Sequence, residues 1–510
     1  MDKVLVLDFG SQYTQLIARK VRELGVFSEI FPFNVSLSRI KKENPRAIIF
    51  SGGPSSVYAE EAPLVPEEIF FLGIPVLGIC YGLQLMARLL GGKVASSTKR
   101  EYGFASLVVK DREGLLAGIR KDSQVWMSHG DKVNRIPEGF VVTGLTSNSK
   151  AAVIENREKK FFGVQFHPEV IHTKQGKKIL SNFIFSQAGL KSDWTMGSFI
   201  EREADIIRRQ VKNGKVICGL SGGVDSLVAS LIVHKAVGDK LTCIFIDNGL
   251  LRKGQYLDLM DKFREKFALN VVGVDATEDF LRRLERITSP ERKRKIIGEV
   301  FIQIFEREAA KIGNVRFLAQ GTIYPDVIES SPVKGPSSSI KSHHNVGGLP
   351  KGLKFELVEP LRELFKDEVR ALGEELGVDR DFIQQHPFPG PGLAVRIVGE
   401  VTGERLRILR EADSVLLDEI TRSGLYKQLW QAFTVLLPIR SVGVMGDRRT
   451  YQRVVVIRLV QSVDGMTANW YPAEPSLLTK ISNRIVNEVK GVNRVVYDIT
   501  SKPPGTIEWE

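Results

Sequence analysis

The stretch Pro75-Val-Leu-Gly-Ile-Cys-Tyr-Gly82 decides the fold of the first part of the chain. It joins a short apolar strand to a turn of the form Gly-x-Cys-x-Gly, the cysteine counterpart of the Gly-x-Ser-x-Gly nucleophile elbow. Such a turn lifts its central side chain clear of the sheet, and the positive end of a following helix, here from about Gln84 to Leu90, favours an anion there. The pattern predicts Cys80 as a nucleophile, although a lone cysteine is more commonly a buried structural residue.

A histidine and a carboxylate follow another apolar run. Phe161-Phe-Gly-Val-Gln-Phe166 has the composition of a strand, and it ends in His167-Pro-Glu169. A histidine at a strand end can serve as the base for Cys80, and a carboxylate two residues further on can orient its ring. We therefore predict a catalytic triad of Cys80, His167 and Glu169.

The turn Ser51-Gly-Gly-Pro54 closes a further strand. Its glycines leave backbone N–H groups available, so we predict an oxyanion hole from Gly53 and from the N–H of Tyr81. Together these features resemble class I glutamine amidotransferase domains over residues 1–188, and Gln84 matches the glutamine that follows the elbow in that family. The resemblance implies hydrolysis of glutamine through a thioester, with release of ammonia.

A second motif lies after the strand Val216-Ile-Cys-Gly-Leu220. Ser221-Gly-Gly-Val-Asp-Ser226 leads into an apolar helix from Leu227 to about Val237, where loop N–H groups and the helix dipole suit phosphate oxygens. No Walker A sequence occurs in the chain, and the string resembles the PP-loop of the N-type ATP pyrophosphatases, which adenylate a substrate. The resemblance implies that ATP is bound by Ser221, Gly222, Gly223, Val224, Asp225 and Ser226.

Three further residues are predicted near ATP. Asp247 follows the apolar run that ends at Ile246, which is the place where nucleotides bind in parallel sheets. Gln320-Gly-Thr322 ends a later strand, and Asp326 comes shortly after it. Thr322 and Asp326 are therefore candidates for positions near pyrophosphate and Mg²⁺, with an ordinary loop as the alternative.

The predicted fold is α/β, with two successive open, mainly parallel α/β domains followed by a smaller α+β C-terminal domain. We place the first domain at residues 1–188, the second at 194–385 and the third at 386–510. The last boundary lies at His386-Pro-Phe-Pro-Gly-Pro-Gly392, where three prolines and two glycines forbid a helix. The predicted strands are Val4–Leu7, Ala47–Phe50, Pro75–Ile79, Phe161–Phe166, Val216–Leu220, Leu241–Ile246, Val271–Val274, Phe317–Ala319, Arg453–Val460 and Arg494–Ile499.

An amidotransferase domain placed before a PP-loop domain resembles the GMP synthetase family. Three more segments carry that resemblance along the whole chain: Ile340–Pro350, His386–Leu393 and Lys502–Glu510. The resemblance implies a carbon–nitrogen ligase in which ATP, with Mg²⁺, adenylates O2 of XMP. Ammonia from glutamine then attacks C2, giving GMP and AMP. It also implies a homodimer formed by the third domain, and no tightly bound organic cofactor.

The same resemblance suggests residues for a lid and for XMP. The predicted lid carries Lys341, His343 and His344, and Lys366 and Asp367 open a helix from Phe365 to Leu376. The candidates for XMP are Arg294, Lys502 and Glu508. Without the resemblance, the basic cluster around Arg294 would be assigned to a solvated helix face. The residues that hold Mg²⁺ stay open.

Composition limits the alternatives. Three cysteines and seven histidines give neither a disulfide framework nor a zinc spacing, and no apolar run of membrane-spanning length or signal peptide is evident. We expect a cytoplasmic enzyme. The net charge of +12 admits a nucleic-acid partner, but without a dense basic block we favour anionic substrates. The alternatives are a PP-loop enzyme acting on another acceptor, such as tRNA or deamido-NAD, and a regulator without activity.

Overall fold

The computed structural model describes residues 2–53, 56–330, 355–462, 465 and 467–510. These residues form two compact units, of which the first ends at Phe199 and the second begins at Ile200. Within the described ranges, every helix is too short or too polar to span a bilayer.

The strands of the described residues are β1 (Lys3–Asp8), β2 (Phe27–Pro32), β3 (Ala47–Phe50), β4 (Val76–Ile79), β5 (Lys93–Val109), β6 (Asp122–Arg135), β7 (Val141–Leu145), β8 (Val153–Asn156), β9 (Phe161–Val164), β10 (Lys215–Leu220), β11 (Leu241–Asp247), β12 (Val271–Asp275), β13 (Val315–Ala319), β14 (Glu356–Val358), β15 (Gln431–Met445), β16 (Arg448–Gln461), β17 (Asn469–Trp470) and β18 (Val492–Tyr497). The α-helices are α1 (Thr14–Arg22), α2 (Leu37–Glu43), α3 (Tyr81–Leu89), α4 (Gly176–Ser181), α5 (Met196–Val211), α6 (Val224–Val237), α7 (Gln255–Asp261), α8 (Thr277–Leu284), α9 (Pro290–Ile312), α10 (Tyr324–Ser330), α11 (Lys366–Glu375), α12 (Arg380–Ile383), α13 (Gly403–Arg422) and α14 (Pro475–Glu488).

The first unit is built on a nine-stranded sheet in the order β2-β1-β3-β4-β9-β8-β7-β5-β6. The strands from β2 to β9 in that order pair in parallel, and the remaining pairs are antiparallel. Every residue of β3, β4 and β9 is buried, as expected for parallel strands covered on both faces. The carboxyl ends of β3, β4 and β9 share one edge of the sheet, so the segments that follow them lie close together.

The second unit contains a five-stranded sheet in the order β12-β11-β10-β13-β14, in which all pairs are parallel. From β10 the chain first adds β11 and β12 on one side and later adds β13 on the other. The carboxyl end of β10 is therefore a topological switch point, the place where ligands bind in open α/β sheets. The loop that follows β10 lies at this point.

The second unit also contains a smaller mixed sheet, in which β16 pairs with β15 and β17 antiparallel and with β18 parallel. Helices α13 and α14 cover it, and their apolar side chains, such as Leu416 and Ile485, join Ile457 of β16 in one buried cluster. The predicted fold class, α/β with an α+β C-terminal part, is confirmed. The predicted domain boundaries stay predictions.

Candidate functional site

The elbow forms at the carboxyl end of β4. Cys80 has φ 52° and ψ −103° and is the N-cap residue of α3, so it lies between the strand and the helix in a conformation that few side chains adopt. The two positions of the motif require glycine because backbone atoms lie too close to leave room for a Cβ. A Cβ on Gly78 would lie 2.6 Å from the carbonyl carbon of Gly82, and one on Gly82 would lie 2.5 Å from the carbonyl oxygen of Phe50.

The structure brings the three predicted triad residues together. His167 Nδ1 lies 2.7 Å from Glu169 Oε1, and Cys80 is close enough to the same ring to raise its pKa. All three residues are buried. The order of contacts is therefore thiol, imidazole and carboxylate, which is the geometry of nucleophile, base and orienting group.

The pKa of His167 is raised well above its usual value. Burial acts in the opposite direction, because a charged ring loses hydration, but the negative charge of Glu169 and the hydrogen bonds with Cys80 and Glu169 outweigh it. The direction of this shift favours the imidazolium form of the ring. An imidazolium beside Cys80 stabilises a thiolate, the reactive form of cysteine.

The predicted oxyanion-hole residues adjoin one another. Tyr81 is the first residue of α3, so its N–H has no acceptor within the helix. A Cβ on Gly53 would lie 3.1 Å from Cγ of Tyr81, and one on Gly52 would lie 3.1 Å from Cε1 of His167. The loop after β3 thus passes directly over the triad, and the role of Gly53 and Tyr81 stays a prediction.

Strand β6 also lies beside Cys80, and the sequence of this strand did not indicate that contact. The carbonyl oxygen of Ser128 lies 3.6 Å from Cys80 Sγ, and that of Trp126 accepts a hydrogen bond from the backbone N–H of His167 at 3.0 Å. Burial alternates along the first half of β6. Polar Ser123 and His129 occupy two of its buried positions and therefore hide the strand pattern in the sequence.

The phosphate-loop candidate has the predicted strand–loop–helix form. Gly223 is the N-cap residue of α6, which begins three residues before the predicted start. The hydroxyl groups of Ser221 and Ser226 lie 3.1 Å apart, and Ser221 Oγ accepts from the N–H of Gly223 at 3.3 Å. These bonds hold the loop while the N–H groups of the first helical turn remain directed at its open side.

A lysine from α11 contacts this loop. Lys366 Nζ lies 2.6 Å from both carboxylate oxygens of Asp225, which is in the first turn of α6. The predicted ATP residue Asp225 and the predicted lid residue Lys366 are therefore direct neighbours. Asp367 follows in the first turn of α11.

The segment Gln320–Thr322 lies against the same loop. A Cβ on Gly321 would lie 3.0 Å from the carbonyl oxygen of Asp225, and Thr322 is buried. The sheet order explains this contact, because β13, which precedes the segment, is the direct neighbour of β10. Thr322 is thereby placed beside the loop.

Two other ATP candidates stabilise their own turns. Asp326 Oδ2 accepts from the N–H of Ile323 at 3.1 Å, and Asp247 Oδ1 accepts from the N–H of Gly249 at 2.9 Å. Asp247 ends β11, the neighbour of β10 on the side opposite β13. Both carboxylates keep a second oxygen for another donor, and their roles stay predictions.

The three XMP candidates each have a partner within the second unit. Arg294 donates to the backbone carbonyl of Glu510, and Lys502 Nζ donates to the carbonyl of Gly465 at 2.8 Å. Arg294 on α9 is thus in contact with the segment that carries the other two candidates.

Glu508 is held by residues that no sequence motif indicated. Arg396, which is fully buried, donates to its two oxygens at 2.9 and 3.1 Å, and Gln431 donates at 2.6 Å. The guanidinium carbon of Arg396 lies over the aromatic ring of Phe433, 4.2 Å from the centroid of that ring. No signal in the local sequence singles out Arg396, since only the fold brings it to the C-terminal segment.

The predicted lid residues Lys341, His343 and His344 lie outside the described residues. Over the ranges that are described, no three or more histidine, cysteine, aspartate or glutamate residues form a group suited to a metal ion.

Comparisons with known proteins identify families for both ends of the chain. A family model described as glutamine amidotransferase class-I matches residues 5–187, and one described as GMP synthase C terminal domain matches residues 418–509. The fold and the site of the first unit thus define a class I glutamine amidotransferase. A solved structure from Thermoplasma acidophilum, described as one of the subunits of a GMP synthase, is 30% identical over 36% of this chain and 92% of its own, with a TM-score of 0.34.

Two full-length relatives identify the particular family. The GMP synthase [glutamine-hydrolyzing] of Brachyspira hyodysenteriae is 56% identical over 100% of this chain and 99% of its own length. The protein of the same name from Carboxydothermus hydrogenoformans is 58% identical, with the same coverage. This chain belongs to the family of glutamine-hydrolysing GMP synthases.

Proposed function

We propose that this enzyme makes GMP from XMP by joining a glutaminase site in the first unit to an ATP-dependent site in the second. In the first, the thiolate of Cys80 attacks the side-chain amide carbon of glutamine. The N–H groups of Gly53 and Tyr81 stabilise the resulting oxyanion, and His167 gives a proton to the leaving ammonia. Water then cleaves the thioester to glutamate, with His167 as base and Glu169 orienting its ring.

In the second unit, O2 of XMP attacks the α-phosphorus of ATP and pyrophosphate leaves. The loop Ser221–Ser226 binds the phosphate oxygens through its N–H groups and hydroxyls, and Lys366 contributes a positive charge. Ammonia then attacks C2 of the adenylated XMP, and AMP leaves. Asp247, Thr322 and Asp326 border the nucleotide, while Arg294, Lys502 and Glu508 are assigned to XMP.

One observation carries this proposal. Cys80, His167 and Glu169 come together beyond the carboxyl ends of parallel strands of one sheet, while the loop Ser221–Ser226 follows the switch-point strand of another. The names of the full-length relatives support XMP amination over the alternative acceptors, tRNA and deamido-NAD.

Mg²⁺ fits the donors that surround the loop. It prefers oxygen ligands, and in nucleotide sites it is commonly held by one or two carboxylates together with phosphates. Asp225 and Asp326 offer such carboxylates. When bound, the ion would neutralise charge on the departing pyrophosphate.

A homodimer is also part of the proposal. Four apolar side chains on the β15–β16 hairpin are exposed: Ile439, Val442, Val444 and Tyr451. A cluster of exposed apolar groups commonly marks a surface that another protein covers. Two-fold pairs are the commonest oligomers, and a second copy would cover this hairpin. Light scattering of the full chain and of Val444→Lys tests this, since the substitution should lower the dimer fraction.

The acceptor is tested by measuring AMP and pyrophosphate release from ATP and Mg²⁺, with ammonium as the nitrogen source. XMP, deamido-NAD, aspartate and tRNA are supplied in turn. Release with XMP alone, accompanied by GMP, is expected. Release with another acceptor, or with none of the four, would contradict the proposed synthetase reaction.

A further inference from the structure

A second buried histidine–carboxylate pair lies next to the triad. Antiparallel pairing of β5 with β6 places Glu101 directly opposite His129, and both side chains are buried. His129 Nε2 lies 3.2 Å from Glu101 Oε2, and Thr146 Oγ1 donates to the other oxygen of Glu101 at 3.3 Å. The reaction proposed above makes no use of this pair.

The two side chains are placed so that they can share one proton. His129 Nδ1 lies 3.0 Å from the carbonyl oxygen of Asp131, which can only accept, so Nδ1 carries a hydrogen. Without a proton between Nε2 and Glu101 Oε2, two acceptors would face each other in a buried site, at a large free-energy cost. With that proton the pair is neutral overall, which burial favours.

The pair holds a segment that touches the nucleophile. The carbonyl of Asp131 also accepts from Gln84 Nε2 at 2.7 Å, and the backbone N–H of Gln84 donates to the carbonyl of Cys80 at 3.1 Å. The carbonyl of Ser128, the residue before His129, lies 3.6 Å from Cys80 Sγ. The segment from Ser128 to Asp131 therefore borders the sulfur that a substrate carbon would approach to about 3–3.5 Å.

We propose that His129 and Glu101 are positioning residues for glutamine hydrolysis. The pair fixes residues 128–131 against Cys80, and neither side chain touches the reacting atoms. Loss of the pair lets this segment shift, so that glutamine is no longer aligned with the sulfur. The inference rests on the proposed function, because it takes Cys80 as the nucleophile.

Three substitutions test the pair: His129→Ala, Glu101→Ala and Glu101→Gln. The two alanine variants should lower kcat/KM for glutamine about 10- to 100-fold, the usual result of a small misplacement of a reacting group. The rate with ammonium should change by less than about twofold, because it bypasses the alignment that the pair provides. In Glu101→Gln the amide can donate to Nε2 without the extra proton, so this variant should recover most of the lost activity.

Chemical labelling separates alignment from general damage. Iodoacetamide needs only the thiolate of Cys80, whereas a diazoketone analogue of glutamine must first bind in register with it. His129→Ala should slow labelling by the analogue about tenfold or more and leave iodoacetamide labelling nearly unchanged. Glu155→Ala is the matched control, since Glu155 is another buried carboxylate of the same sheet, bonded to Thr143 and Arg157. It should lower Tm without changing the ratio of the two labelling rates.

Three results would overturn the positioning role. One is an unchanged kcat/KM for glutamine in both alanine variants, and another is an equal loss of the ammonium-dependent rate. The third is a Glu101→Gln variant as impaired as Glu101→Ala, which would assign the function to the proton rather than to the geometry. If His129→Ala does not fold, the comparison of Glu101→Gln with Glu101→Ala still decides. Persistent glutamine hydrolysis by Cys80→Ala in the same assay would instead refute the proposed function.

Discussion

Cys80 and Cys218 occupy similar architectures in the two units and differ in what surrounds them. Each belongs to a parallel strand region that leads into a glycine-rich turn and a helix, and both are buried. Cys80 lies just after its strand, at φ 52°, in contact with His167. Cys218 lies inside β10, opposite Cys243 of β11, and its sulfur accepts from Ser230 Oγ at 3.2 Å.

Burial therefore does not distinguish Cys80, the proposed nucleophile, from Cys218 inside its strand. Burial raises the pKa of Cys218 to about 11, with a smaller opposing effect of the Ser230 hydrogen bond, so this sulfur stays a thiol at neutral pH. What distinguishes Cys80 is its position one residue beyond the strand and a charged ring beside it. In the second unit the functional groups beyond the strand are N–H groups and hydroxyls, which suit a phosphate instead of an acyl group.

The largest expected effect concerns Cys80, the first of the two cysteines compared. Cys80→Ala removes the nucleophile, so glutamine-dependent GMP formation should fall by at least about 10⁴-fold. The rate with ammonium should be preserved, because the second unit is untouched. GMP formation from both nitrogen sources is the measurement. A folded variant that loses both activities would contradict the division of labour between the units.

The second prediction concerns the charged ring. Glu169→Gln removes the carboxylate that raises the pKa of His167, so the ring loses its proton at a lower pH. The glutamine-dependent rate should fall about 10³-fold, as expected when an orienting carboxylate is lost. The alkaline limb of its pH profile should move to lower pH, since the imidazolium form disappears earlier.

The pH profile with ammonium serves as the internal reference for that variant and should not move. Glu155→Gln is the matched substitution, because it changes a buried carboxylate that bonds Arg157 and not His167. An alkaline limb that stays in place in Glu169→Gln would show that Glu169 does not set the pKa of His167.

The third prediction tests the phosphate loop. Lys366→Ala removes the cation that pairs with Asp225 at 2.6 Å. GMP formation should fall about 10²-fold with glutamine and with ammonium alike, because one electrostatic contact to the transferred group is lost. Lys235→Ala, which breaks an exposed ion pair with Glu201, is the control and should have little effect. A loss confined to glutamine would remove Lys366 from the ATP site.

The sequence predicted the strand–turn–helix form around Cys80 and around Ser221–Ser226 because each is a continuous string of special residues at a strand end. The central parallel strands β3, β10 and β11 were placed to within one residue, since their buried residues form nearly uninterrupted apolar runs. The elbow was predictable for a second reason, because only glycine fits where Gly78 and Gly82 approach backbone atoms.

What the sequence did not predict depends on contacts between distant segments. The β5–β6 hairpin lines Cys80, but its buried positions include polar residues such as Glu101 and His129, so the apolar alternation fails. Arg396 meets Glu508 across 112 positions of the chain, and no local motif marks Arg396. Strand ends can be identified from composition, whereas partners from elsewhere in the fold cannot.

The smallest expected effect concerns Cys218, the second of the two cysteines compared. Cys218→Ala removes a buried sulfur whose hydroxyl neighbour, Ser230, can still donate to the carbonyl of Ser226, where it already lies at 2.8 Å. The free energy of unfolding should fall by about 1 kcal/mol, the transfer cost of one small buried group, with both GMP-forming rates unchanged. Denaturant unfolding and the two assays measure this. A variant of normal stability that lost the ammonium-dependent rate would give Cys218 a chemical role in the second unit. Cys243→Ala, at the paired position, should behave alike, because both cysteines lie inside strands where burial raises the pKa of the thiol.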